Sequence, residues 1–251
     1  CPPSARLSEE YADKPSEYAQ AGTDCHELCA YKVEKALGRK IRNPVKHLSF
    51  YDEEMDECSD GYRDFVLECV AQAKTSCNDP LVLVEQRLDY SRYVDVEGSF
   101  GTGDCVIVAD GMLYVIDYKH GLGVLVSAEK NSQLSCYALG ALDLFDGIYD
   151  IERITLVIYQ PRRANISLYE MGKDELLAWA SDTLAPAAKL AQEGKGEFKA
   201  GDHCQFCKAK ANCRKRAEYN LELAKYDFEM PATLDDSEIA AILPRIDDLT
   251  S

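Results

Sequence analysis

Two aspartates and a lysine stand among the valines, isoleucines and aromatics of a stretch that otherwise reads as buried sheet. They are Asp104, Asp117 and Lys119, in GTGDCVIVADGMLYVIDYKHG, residues 101–121. Cys105–Ala109 and Met112–Tyr118 are β-branched and aromatic runs. Between them, Asp110-Gly111 is a strong hairpin signal, because both residues tolerate φ > 0 in a type I′ turn. A two-residue loop pairs Ala109 with Met112 and, further along, Asp104 with Asp117, with Cβ atoms about 5 Å apart on adjacent strands. Lys119, two residues beyond Asp117, projects from the same face. Like charges directly opposite each other destabilise a strand pair. The arrangement makes chemical sense if the carboxylates are hard oxygen ligands for Mg²⁺ or Mn²⁺; the plainer alternative is a solvated hairpin end with scattered charges.

Other residues could serve the same site. Gln133 and Tyr137, in NSQLSCYALG, are four apart and share a helix face. The helix expected over 128–144 follows the Asp117/Lys119 strand and can line the same cleft, although a helical tyrosine is commonly half-buried packing. His26, in GTDCHELC, falls in the first turn of a helix expected from Asp24 to Leu37, where Asp24 and Glu27 resemble a capping box. It shares a stripe with Ala30, Val33 and Leu37. The positive helix N-terminus would keep its imidazole neutral and able to ligate a metal; a satisfied core histidine is the competing reading. Glu85, in LVLVEQRLDY, reads equally as an edge-strand charge or as a further acidic group near the metal.

The eleven cysteines are an odd number without disulfide-framework spacing, which favours a reducing compartment and a role for some as metal ligands. Cys204, Cys207 and Cys213, in HCQFCKAKANCRKR, are spaced C-x₂-C-x₅-C, one ligand short of a four-coordinate site. His203 would complete a Zn²⁺ site. A distant cysteine would instead complete an iron–sulfur cluster, which prefers four thiolates. Termini gain order where something ties them down, so Cys1 is the first choice for that fourth ligand, with Cys25, Cys29 and Cys58 behind it. Lys208, Lys210, Arg214, Lys215 and Arg216 surround the knot as a local basic patch. The net charge of −16 otherwise argues against general adhesion to nucleic acid or anionic membrane.

The positioning elements follow from pattern. After the 24–37 helix come a helix over 52–73, a strand over 81–93, the hairpin, the 128–144 helix, an apolar strand over 154–160 that 166–170 could join, and a helix over 173–193. A Gly/Lys-rich loop spans 194–203, and 217–251 reads as helical, with Ser237 as N-cap and Pro244 as a break. Helices alternating around a mixed sheet indicate an α/β fold. At 251 residues the chain can bury a large core. No apolar run is long enough to span a membrane, and no signal peptide is visible. A start at Cys1 without methionine and an abrupt end suggest a piece of a longer protein.

The ordered set of His26, Asp104 in GTGD, Asp117-Tyr118-Lys119 and Gln133-x₃-Tyr137 resembles the RecB-like branch of the PD-(D/E)XK nuclease superfamily. The knot with an N-terminal cysteine resembles the iron–sulfur-bearing members, which include AddB-type recombination nucleases and a CRISPR adaptation nuclease. The opening CPPS…GTDCHE is closest to a phage-associated group. Asp117 stands where many relatives carry glutamate. The resemblance covers residues 1–216 and leaves 217–251 as an incomplete helical extension. It implies a restriction-endonuclease-like α/β core, a mixed central sheet flanked by helices. It also implies a [4Fe–4S] cluster on Cys1, Cys204, Cys207 and Cys213. Mg²⁺ or Mn²⁺ would be held by His26, Asp104, Asp117 and the carbonyl of Tyr118. Lys119 would orient water or stabilise charge on phosphorus, and Gln133 and Tyr137 would brace the site and touch the DNA backbone. The implied activity is metal-dependent DNA hydrolysis, as an exonuclease, in phage or bacterial recombination. Its setting would be the cytoplasm of a bacterial host, with a recombination partner such as a single-strand annealing protein or a helicase. A catalytically idle DNA-end-binding subunit is the alternative, against which stands the intact Asp, Asp, Lys and His set. A zinc-knotted interaction module with incidental carboxylates is another.

Overall fold

The computed structural model describes residues 1–12, 16–222 and 234–245. In chain order its elements are α1 (Ser4–Glu9), α2 (Glu17–Ala36), α3 (Glu53–Ala73), β1 (Leu81–Asp89), α4 (Ser91–Val94), β2 (Phe100–Ala109), β3 (Met112–Tyr118), α5 (Ser132–Tyr149), β4 (Arg153–Gln160), β5 (Asn165–Gly172), α6 (Lys173–Trp179), α7 (Ala185–Gln192), α8 (Arg214–Leu221) and α9 (Asp236–Ile242). They form two compact units, Pro15–Ala185 and Cys1–Lys14 together with Pro186–Ser251.

The larger unit is built on a five-stranded sheet in the order β1-β2-β3-β4-β5. Its neighbours are antiparallel except for β3 and β4, the pair joined through α5, as a parallel connection requires a crossover. Both faces are covered. On one, α5 packs Leu134, Ala138, Leu139 and Ala141 against Val106, Val115, Leu156 and Ile158. On the other, α2 and α3 bring Leu28, Val33, Tyr62 and Val66 to Ile107, Ile116 and Val157. Burial on both faces explains why β2, β3 and β4 read as nearly unbroken apolar runs. The result is a mixed α/β architecture with a mixed sheet flanked by helices.

Local signals match in several places. The hairpin pairs Cys105 with Ile116 through Ala109 with Met112, as a two-residue loop demands. Asp52 caps α3 by accepting from Met55 N at 2.7 Å, and β5 pairs with β4. Elsewhere tertiary contacts override them. Gly111 is left-handed at φ 76° while Asp110 is not, so the turn is not type I′. Gly111 N–H instead donates to Tyr149 O at 3.3 Å, and its carbonyl accepts from Arg153 N at 3.1 Å. The strand expected over 81–93 stops at Asp89 and gives way to α4. The helix expected over 173–193 is interrupted by a π turn at Ala180–Leu184. Helix α2 begins at Glu17, so Asp24 lies mid-helix rather than at a cap. It is buried and accepts from Gln20 Nε2 and from Phe50 N–H, each at 2.8 Å.

In the smaller unit the N-terminal arm packs on the later segment. Arg6 Nε donates to Gln192 O at 2.6 Å, and Asn212 Nδ2 to Tyr11 OH at 3.2 Å. Helix α9 is capped by Asp235 in a capping box with Glu238, two residues before the expected Ser237. The rest of the tail expected to be helical, 223–233 and 246–251, lies outside the described residues. Among the described residues, no helix is long and apolar enough to cross a membrane.

Candidate functional site

Glu85, Asp104 and Asp117 stand in one row across β1, β2 and β3. The β1–β2 ladder pairs Val84 with Cys105 and Gln86 with Gly103, so Glu85 faces Asp104 without any change of register. The β2–β3 ladder runs to Cys105 with Ile116, which leaves Asp104 and Asp117 at the next position. Glu85 holds a left-handed backbone at φ 51°, a conformation costing an L-residue on the order of 1–2 kcal/mol. Asp104 bridges two elements. Its Oδ2 accepts from Tyr118 N–H at 2.6 Å, and its Oδ1 lies 3.1 Å from Nδ1 of His26 on α2. Ligand atoms of His26, Glu85 and Asp104 all lie within 4.8 Å of one another, and no other group of three or more such side chains among the described residues is gathered as tightly.

The other half of the site runs toward α5. Asp117 is 2% exposed. Lys119 Nζ sits 2.7 Å from its Oδ2 as an ion pair. Lys119 Nζ donates to Gln133 Oε1 at 3.2 Å, and Gln133 Nε2 donates to Tyr137 OH at 2.8 Å. The Tyr137 ring lies on Gly101, where a Cβ would overlap it. The first glycine of GTGD is therefore required by the close approach of α5.

The electrostatics show uncompensated negative charge. Burial, then the neighbouring Asp104 charge, raises Asp117 to about 6, against the opposing pull of Lys119. Desolvation of its carboxyl, then Asp104, raises Glu85 to about 7, with Asp117 adding and His26 opposing. Burial alone would lower His26, but the Asp104 hydrogen bond and the charges of Asp104, Asp117 and Glu85 outweigh it and hold its pKa above the usual histidine value. Carboxylate oxygens with one imidazole and too few cations are a donor set suited to Mg²⁺ or Mn²⁺. The Tyr118 side chain turns to the opposite face, fully buried, where its hydroxyl accepts from Cys25 Sγ at 3.2 Å and lies 3.1 Å from His120 Nδ1.

In the smaller unit, Cys1, Cys204, Cys207 and Cys213 all line one cavity of about 250 Å³. Successive turns shape it: Cys204 N–H donates to Gly201 O at 2.8 Å, and Cys207 N–H to Cys204 O at 3.1 Å. His203, Lys210, Lys215 and Arg216 share the lining. His203 Nε2 lies 2.9 Å from Lys199 O, and Lys215 pairs with Glu218 at 3.5 Å. Lys208 and Arg214 belong to the same unit.

A family profile described as "Protein of unknown function (DUF2800)" matches residues 1–251. The chain belongs to this family. A solved structure titled "Crystal structure of SSO0001" is 15% identical, over 75% of this chain and 95% of that one, with a TM-score of 0.31. A likeness at that score carries no argument.

In this DUF2800 chain the structure thus brings together His26, Asp104, Asp117, Lys119, Gln133 and Tyr137 in one unit, and the four knot cysteines in the other. The helix-terminus account of His26 is corrected. The residue sits mid-helix in α2, so a terminal dipole does not govern it, and Asp104 is its partner. Glu85, which the sequence left between two readings, joins His26 and Asp104. The available signal was a lone carboxylate in an apolar strand, one register step from the GTGD aspartate.

Proposed function

We propose that the chain is a Mg²⁺- or Mn²⁺-dependent deoxyribonuclease with a restriction-endonuclease-like core of the RecB-like PD-(D/E)XK kind, bearing an iron–sulfur cluster in its cysteine knot. The observation that carries the reading is the juxtaposition of Asp104 and Asp117 in one row, with His26 3.1 Å from the first and Lys119 2.7 Å from the second. His26, Asp104, Asp117 and the Tyr118 carbonyl would hold the cation. A divalent cation supplies Lewis acidity toward a phosphodiester oxygen and acidifies an attacking water. Lys119, tethered between Asp117 and Gln133, presents its ammonium where negative charge develops on phosphorus. Gln133 and Tyr137 fix that lysine and offer donors to a phosphate. Contacts of that kind place a strand without reading its bases.

All four cysteines of the knot line one cavity, and four thiolates are the ligand set that an iron–sulfur cluster prefers. Lys208, Lys210, Arg214, Lys215 and Arg216 would give this otherwise acidic protein its contact with DNA.

The test is digestion of end-labelled linear and circular DNA, single- and double-stranded, in Mn²⁺ and in chelator. Cleavage that requires the cation, with linear substrates preferred, fits an exonuclease. Intact substrates under all conditions would leave the DNA-end-binding alternative in its place.

A further inference from the structure

The outer end of the β1–β2 ladder carries an exposed pair that the reading above does not use. The Arg87 guanidinium lies over the Phe100 ring, 4.0 Å from its centroid, and Phe100 is still 49% exposed. The ring therefore keeps open surface that the arginine does not cover. A Cβ at Gly101 or at Gly103 would meet the Tyr137 ring on α5. Phe100 and Thr102, which alternate with these glycines, face the other side of the strand. That is the side of α2, where His26 meets Asp104 at 3.1 Å. Thr102 pairs with Arg87 and Phe100 with Asp89, so an open strip runs outward from the carboxylates. Along β2 the ring stands about 13 Å from Asp104, at about 3.3 Å per residue. Asp89 accepts from Ser91 N–H at 2.9 Å, and Arg87 takes part in no ion pair among the described residues.

We propose that Phe100 and Arg87 form a stacking platform for one unpaired nucleobase of the substrate strand, a few nucleotides from the bond that is cut. Aromatic rings and guanidinium planes are surfaces on which splayed bases stack, whatever their sequence. Arg87 adds a cation–π contribution and a positive charge toward phosphate, which a chain of net charge −16 otherwise repels. A base inside a duplex hides its π face in the stack, so only a single-stranded or frayed end can engage the ring. The inference rests on the nuclease reading. It adds a preference for unpaired strands, set by residues outside the cation site.

Binding of a fluorescein-labelled thymidine oligonucleotide to the full chain would be measured in Ca²⁺. Mn²⁺-dependent cleavage of the same strand and of a blunt duplex would be followed in parallel. A single abasic residue, moved along the strand, should weaken binding to wild type at one position and not elsewhere. Phe100→Ala should bind the intact strand roughly five- to hundredfold more weakly, the range for one base–aromatic stack, and should be indifferent to the abasic residue. Phe100→Trp should restore both the affinity and the sensitive position. Unchanged Mn²⁺ affinity by calorimetry in both variants guards against a loss caused by misfolding. Intact-strand affinity in Phe100→Ala equal to that of wild type would overturn the inference. So would an abasic penalty that survives in Phe100→Ala, or a wild type without a sensitive position. In each of these cases, retained cation-dependent cleavage would leave the nuclease reading standing. A wild-type chain that neither binds nor cleaves the strand would overturn the reading and the inference together.

Discussion

Asp117→Asn should make the metal-free protein more stable while disabling it. The ionised Asp117 carboxylate is 2% exposed, and its pKa stands at about 6 against an ordinary 3.8. At about 1.4 kcal/mol per pH unit, ionisation in the folded state costs about 3 kcal/mol, with the favourable Lys119 charge already included. The sign follows from the raised value. The cost is absent below pH 3.8, grows as pH rises, and is complete above about pH 6. Asparagine keeps the shape and removes the charge, but it leaves Lys119 without its ion-pair partner, so a net gain of about 1–3 kcal/mol is expected at pH 8. For a chain of this size that raises the thermal midpoint by about 2–12 °C. Trp179, the single tryptophan, packs against the α5-side core, so its fluorescence reports unfolding of this unit. Melts in EDTA at pH 8 should show the full difference, and at pH 5 about half of it should remain. An asparagine variant less stable than wild type at pH 8 would refute the reasoning, as would a difference that widens toward acid.

Lys119→Ala should keep calorimetric Mn²⁺ binding yet lose most turnover, because the lysine lies beside the ligands without being one; normal cleavage would remove it from the site. Gly101→Ala should push the Tyr137 ring off β2 and slow cleavage, with Mn²⁺ affinity within about threefold of wild type; unchanged rates would mean that the Tyr137–Gln133–Lys119 chain does not position anything. Cys207→Ser should abolish the brown colour of anaerobically purified protein and lower its thermal midpoint, while Cys58→Ser and Cys77→Ser leave the colour intact. One equivalent of zinc and no iron in the wild-type protein would discard the cluster and leave the nuclease proposal standing.

The parts of the site legible in the sequence were those set by short-range geometry. The Asp110-Gly111 loop length dictates the β2–β3 register, hence the placing of Asp104 against Asp117, even though the turn type itself is decided by Tyr149 and Arg153. Helical spacing likewise predicts the Gln133–Tyr137 bond. What could not be read depends on partners far along the chain. Asp24 resembles a helix start until Phe50 N–H supplies its partner. His26 takes its electrostatics from Asp104, not from its own helix. The left-handed Glu85 is invisible to any local propensity, since strand-forming neighbours on both sides argue for ordinary extended backbone.

The central claim is that this row serves phosphodiester hydrolysis. The most direct measurement is the rate of label release from end-labelled linear DNA by wild type and by Asp117→Ala, in saturating Mn²⁺ and at equal folded protein. Wild type should release label only with the cation, and Asp117→Ala should be slower by at least a thousandfold, the loss of about 4 kcal/mol expected when a ligand leaves such a site. A variant within about tenfold of wild type would contradict the account.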